Sequence, residues 1–207
     1  EMSRARILAC LLPAVLLAGC GILPDKTPIS LYSPTVVVRP DPSWPAVRGQ
    51  LVVQRPTAEG LLDSPRIVVQ PTPGEVQVYK GAIWADAAPD LLQTAVIHAL
   101  EDSGKLTGVG RRGSGVAGDY ELLMDIRHFD ANYAAGAAPS AVIDVQANLV
   151  LGQENKVVAS QLFHASAPAA GTQIPEVSQA FGTALSDVTR QITGWTLSQA
   201  ATHPVKH

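Results

Sequence analysis

The sequence predicts an α+β fold: a mainly antiparallel β-sheet with two principal helices packed on one face. Three observations carry this. Tyr120, Leu122, Met124 and Ile126 alternate with Glu121, Asp125 and Arg127, and Ile143, Val145, Ala147, Leu149 and Leu151 alternate with Asp144, Gln146 and Asn148. That two-residue period belongs to strands with one wet face. Leu91, Leu92, Ala95, Val96, Ala99 and Leu100 recur at three- and four-residue spacing, as do Val177, Phe181, Leu185, Val188, Ile192 and Trp195. Each set makes one apolar helical stripe. Finally, 46% of the 207 residues are apolar, enough to build the core of one domain with extensions.

The elements are read in order. Six prolines fall within residues 21–45 (Pro24, Pro28, Pro34, Pro40, Pro42 and Pro45), which forbids helix and favours extended chain. The near end is expected to be a tether. The folded domain is expected to begin near residue 29, with Ile29-Ser30-Leu31-Tyr32 and Val36-Val37-Val38 as edge strands. Leu51-Val52-Val53, bounded by Gly49 and Pro56, reads as a strand. Arg66–Gln70 and the alternating Glu75–Tyr79 flank the turn Pro71-Thr72-Pro73-Gly74, an antiparallel hairpin. A helix follows: Asp86 precedes Pro89, Asp90 suits the positive end of the helix dipole, and Gly104 is the stop. Residues 104–118 read as a glycine-rich loop. Three consecutive antiparallel strands come next, the last pair joined by Gly152-Gln153-Glu154-Asn155 and the third running from Val157 to Ala165. The closing helix is expected from about Pro175 to Gln199, weakened modestly by Gly182 and Gly194.

The N-terminus carries an address. Arg4 and Arg6 precede an eleven-residue apolar run, Ile7 to Leu17, broken only by Pro13. Eleven helical residues rise about 16 Å, far short of a ~30 Å hydrocarbon core, so the run is too short to span a membrane. A basic start, a short apolar stretch and small residues before a break form an export signal. Leu17-Ala18-Gly19-Cys20 resembles the bacterial lipobox, which implies cleavage between Gly19 and Cys20. By the same resemblance the Cys20 thiol receives a diacylglyceryl group and its new amino terminus an acyl chain, palmitate being typical. The expected organisation is a signal peptide at 1–19, a lipidated Cys and proline-rich tether at 20–28, a domain at 29–200 and a flexible tail at 201–207. Gly21, not Asp, follows the lipidated residue, and in enterobacterial lipoproteins that favours the outer membrane. Cys10 leaves with the signal. The mature chain then has 13 basic and 17 acidic residues.

Composition narrows the chemistry. A net charge of −3 argues against a nucleic-acid binder, which needs a basic face. Two Cys make neither a disulfide framework nor a four-Cys zinc site. Gly108-Val109-Gly110-Arg111-Arg112-Gly113 matches G-x-G-x-x-G, but a helix precedes it and a strand follows. That is the reverse of a dinucleotide site. Arg111 and Arg112 are candidate contacts to a partner or to lipid headgroups, and Trp84, just before the first helix, is either a core anchor or such a contact. His98, His128, His164, His203 and His207 form no metal-binding spacing and read as isolated surface or half-buried residues, although His128 and His164 lie on expected strands and could approach each other in a sheet. Gly113-Ser114-Gly115 lacks the strand-to-helix elbow of a hydrolase. No catalytic residues, metal ligands or cofactor are expected beyond the lipid on Cys20.

With the lipobox in place, Leu62-Asp63-Ser64-Pro65-Arg66-Ile67, the hairpin to Tyr79, Trp84-Ala85-Asp86 with Pro89, and Phe163 resemble the ABC-type transport auxiliary lipoprotein family. This is the family of the paraquat-inducible C lipoprotein, formerly a domain of unknown function. Its early strand is often Tyr-Tyr-x-Leu; Leu31-Tyr32 is a reduced version. The resemblance implies a non-enzymatic lipoprotein on the periplasmic face of the outer membrane. Its implied partners are an ABC ATPase, a permease and a mammalian-cell-entry (MCE) domain protein, which together move lipid between the membranes and maintain the envelope. It also implies a homo-oligomer, in ring form, docked at the far end of the MCE protein. The alternative is a periplasmic carrier that accepts the lipid itself.

Overall fold

A computed structural model describes residues 28–205, which form nine strands, two α-helices and one 3-10 turn. The strands are β1 (Ser30–Tyr32), β2 (Gln50–Val53), β3 (Thr57–Ala58), β4 (Arg66–Gln70), β5 (Gln77–Trp84), β6 (Gly108–Arg111), β7 (Tyr120–Asn132), β8 (Ser140–Leu151) and β9 (Lys156–Pro168). The helices are α1 (Ala88–Ser103) and α2 (Ile174–Thr202), and the 3-10 turn is Gly60–Asp63. No helix among the described residues is long and apolar enough to cross a membrane.

The spine of the sheet is β7. One edge pairs antiparallel with β8 along its length, from Tyr120 opposite Leu151 to Asn132 opposite Ser140. β8 in turn pairs antiparallel with β9. The other edge of β7 is shared by three short strands that follow one another in sequence. Leu51 of β2 sits opposite Tyr120, Thr57 of β3 opposite Asp125, and Val68 of β4 opposite Asp130, all parallel to β7. A 13-residue strand spans about 43 Å, room enough for three short partners. Pro56 and the 3-10 turn cut the facing chain into those pieces. β6 extends this side by pairing parallel with β2, while β5 pairs antiparallel with β4 and β1 pairs parallel with β5.

The sheet is therefore mixed, and the expectation of a mainly antiparallel one is corrected. Five of the eight pairings are parallel, and the antiparallel ones are the locally connected pairs. The parallel partners lie far apart in the chain, so no local turn announces them. The glycine-rich stretch is also corrected, since Gly108–Arg111 forms β6. Gly110 lacks a side chain because Ser114 and Val116 fold back over it.

Both helices pack on one sheet face, as the two stripes require. On that face Leu122, Phe129, Ile143, Val145, Leu149 and Phe163 are buried. Full burial of such a side chain contributes about 1.5–3 kcal/mol. Ala141, Ala147, Ala165 and Ala167 keep the surface beneath α2 low. α1 carries Pro at its first turn and ends at Gly104, whose φ is 61°. α2 begins where Glu176 accepts a hydrogen bond from the Gln173 backbone N–H at 3.0 Å. It continues to Thr202, past the expected end, and the tail returns to the body: the buried Tyr120 hydroxyl accepts from Val205 N–H at 3.2 Å and lies 3.0 Å from the His203 carbonyl.

Residues 33–49 form a strap along the helices rather than an edge strand at Val36–Val38, which corrects that expectation. Val37 N–H donates to Ser186 Oγ at 2.9 Å, and Trp44 and Val47 are buried. The two helix glycines explain the close approach. A Cβ on Gly182 would stand 2.7 Å from the Thr35 carbonyl oxygen, and one on Gly194 2.7 Å from Trp44 Nε1. Gly182→Ala is thus expected to lower stability by about 1–2 kcal/mol, because an overpacking penalty of about 1–3 kcal/mol exceeds the helix-propensity gain of about 1 kcal/mol. Urea denaturation checks this; a stabilised variant would mean the strap does not hold its place.

Candidate functional site

The lipidation site predicted from sequence, Gly19 and Cys20, lies outside the described residues. The other sequence candidates are distributed as follows. Trp84, at the end of β5, is 1% exposed and sits edge-on to Phe181 at 4.9 Å and to Phe129 at 6.2 Å between ring centres. It is a core anchor, which corrects its candidacy as a partner contact. The reason is local: β5 runs on to residue 84, so Trp84 faces inward beneath α2.

Arg111 and Arg112 point to different neighbours. Arg111 Nε donates to Gln93 Oε1 at 3.2 Å and Nη2 to Thr94 Oγ1 at 2.9 Å, both on α1. Arg112 donates to Gln54 Oε1 at 3.1 Å and to Glu121 Oε2 at 2.9 Å. The structure does not bring them together as one anion site. Arg112 instead borders a cleft of about 520 Å³ with Arg55, Glu121, Leu123, Asp125 and Asn148. Arg55 is held by Asp63 and Asp90, each at 2.8 Å. Those two hydrogen-bonded carboxylates raise the Arg55 guanidinium pKa, and Arg55 in turn lowers that of Asp90. The cleft is charge-balanced, so it has no strong preference for an anion.

Histidines do assemble, across the outward face of β7, β8 and β9. His128 is opposite Asp144, and Asp144 is opposite His164. His164 Nδ1 lies 2.6 Å from Asp144 Oδ1, and His128 Nδ1 lies 3.0 Å from Asp130 Oδ1. A register shift between Ile126 and His128 turns both Arg127 and His128 outward. The two histidines are thus separated by β8, with an aspartate between them. Asp130 is the residue that sequence reasoning missed. It is 2% exposed, and its Oδ2 has no hydrogen-bond partner among the described residues. Burial raises its carboxyl pKa; the His128 hydrogen bond opposes this and nearby Asp144 adds to it.

The sign follows from linkage. A raised pKa means that the folded state binds the Asp130 proton more tightly than the unfolded chain does. Stability from this group is full below the ordinary aspartate value of about 3.9 and is lost as pH rises through the raised folded value. Asp130→Asn is expected to match the wild type in acid and exceed it at neutral pH, measured by urea denaturation across that range. Equal stabilities at both ends would contradict the assignment.

Among the described residues, no group of three or more His, Cys, Asp or Glu side chains is arranged to hold a metal ion. Thr202 Oγ1 and His203 Nδ1 are 3.1 Å apart, but both also lie 2.9 Å from the Gln199 carbonyl. That is a helix-end cap, not a nucleophile aimed at a cleft. The features left are surfaces: the β1 edge, the β9 edge, the outward sheet face and the strap.

Known proteins place this arrangement. A crystal structure of protein XCC0632 from Xanthomonas campestris is similar with a TM-score of 0.80 and 44% identity, covering 84% of this chain and 98% of that one. A second solved structure, of an uncharacterized protein, shares the fold with a TM-score of 0.62 at 14% identity, over 80% of this chain and 97% of that one. An uncharacterized protein of Bradyrhizobium diazoefficiens is 28% identical over 87% of this chain, which spans only 47% of that relative's length. The family model for the ABC-type transport auxiliary lipoprotein component matches residues 30–193, and the chain belongs to that family.

Proposed function

We propose that this protein is a non-enzymatic adaptor on the periplasmic face of the outer membrane. Lipid on Cys20 fixes it there, and its domain docks the MCE-domain protein of an ABC-type lipid transport system. The observation that carries this over a carrier role is the filled space between sheet and helices. Trp84, Phe129 and Phe181 interlock there, with Phe129 and Phe181 stacked at 5.1 Å, and Leu51, Ile67, Leu92, Leu100, Ile143 and Leu185 complete a continuous core. An acyl chain has no channel through such packing. An adaptor needs surface instead, and β9 offers it: thirteen residues long, it pairs only with β8 among the described residues. Its free edge suits contact between subunits of a homo-oligomer.

The test is co-elution. The mature lipoprotein, solubilised in mild detergent, is mixed with the MCE protein of its own transport system and passed over a sizing column. Co-elution of the two is the expected result. Independent elution at all salt concentrations would contradict the docking role. The outward-face residues Arg112 and Leu123 then become the first positions for cross-linking.

A further inference from the structure

We infer that the β1 edge is a membrane-contact surface that seats the domain against the phospholipid leaflet holding its anchor. The inference rests on the anchoring of Cys20 proposed above. Among the described residues β1 ends one side of the sheet, pairing only with β5. It presents Ile29 and Leu31, 63% and 68% exposed, the alternate residues of one extended segment. Leu31 is opposite Ile83, and Ile83 is opposite Arg66, so the three lie in one row across β1, β5 and β4. Ser30 is opposite Ala82, which puts Ile29 beside Gly81 and next to Lys80. Arg66 and Lys80 are both exposed, and neither forms a salt bridge among the described residues. Glu75, at the hairpin tip, is engaged by Thr72 and Gln77.

Two exposed apolar side chains at the edge, with unpaired cations on the next two strands, match the chemistry of the bilayer interface. The apolar groups enter at the glycerol level while Arg and Lys reach phosphate. Chain length selects a lipid surface over other occupants. Only eight residues separate Cys20 from Ile29. Even fully extended they hold Ile29 within about 30 Å of the acylated residue. The edge nearest the anchor therefore carries exposed apolar residues and two free cations; β9 also exposes Val157 and Leu162 beside Lys156, but no such short chain joins it to Cys20.

The experiment uses the lipidated mature protein in vesicles of phosphatidylethanolamine and phosphatidylglycerol, with an environment-sensitive fluorophore on Leu31→Cys or, as control, Leu162→Cys. Both positions are exposed, so neither substitution burdens folding. The expected result is a blue-shifted emission at residue 31, quenched by spin-labelled lipid, with no change at residue 162. Reversing both cations (Arg66→Glu with Lys80→Glu) should remove the quenching at residue 31 although the protein still floats with the vesicles. A label merely held close by the tether would not respond to that reversal, and such insensitivity overturns the inference. So does water-like emission at residue 31 in protein that floats, or a blue shift without vesicles, which would mean a second copy covers the edge. Protein that carries no acyl mass on Cys20 and does not float sinks the anchoring proposal itself, and the inference with it.

Discussion

On the proposed anchoring, a Cys20→Ser protein exported behind a signal that is cut without lipidation is expected to move almost entirely from the outer-membrane fraction to the soluble periplasm. The anchor's strength is a matter of chain number. Each buried CH₂ contributes about 0.8 kcal/mol, so one acyl chain binds reversibly and more than one binds stably. The domain offers little to replace it: a few exposed apolar residues, Ile29 and Leu31 at the β1 edge among them, and no membrane-crossing helix among the described residues. Membrane fractionation with palmitate labelling reads the outcome. The variant should also fail to restore envelope integrity to a null strain, despite a normally folded domain. Retention of the variant in the outer membrane would mean that protein contacts, not lipid, hold it there.

Trp84→Ala should cost about 3–5 kcal/mol, the usual range for removing a large buried aromatic. The site has little capacity to collapse. Trp84 is gripped edge-on by Phe181 and Phe129, which stack on each other, and its backbone is fixed on both sides of β5 by β4 and β1. Against a typical domain stability of 5–15 kcal/mol, the loss leaves a large unfolded fraction at growth temperature. Urea denaturation measures it. Trp84→Phe should lose less, because it keeps ring contacts and removes an indole N–H that has no partner in the core. A Trp84→Ala protein as stable as the wild type would contradict the packed-core description on which the adaptor role depends.

The parts of the molecule written in local patterns were legible in the sequence. Both helices, the β4–β5 hairpin and the β7–β8–β9 meander announce themselves through period and turn residues. The parallel pairings were not legible, because β2 and β7 are joined by contacts across some seventy residues rather than by a turn. β6 hid behind glycines, of which Gly110 lets Ser114 and Val116 fold over the strand. Val36–Val38 has strand composition, but its neighbours are helices, and the chain there became a strap. Gly182 and Gly194 read as weak points of α2 and proved to be its contact points for that strap. On the outward face, His128 and His164 were placed on the right strands. Asp144 and Asp130 became visible only with the register, since sequence spacing does not give cross-strand partners. Trp84 was ambiguous because β5 appeared to end at Tyr79; its extension past Gly81 decides that Trp84 points inward.

Native mass spectrometry of the mature protein, alone and with the MCE protein proposed as its partner, tests the adaptor account most directly. The account predicts a defined oligomer that binds the MCE protein, with no lipid mass beyond the acyl chains on Cys20. A monomer that carries non-covalent phospholipid and ignores the MCE protein would contradict it and identify a carrier.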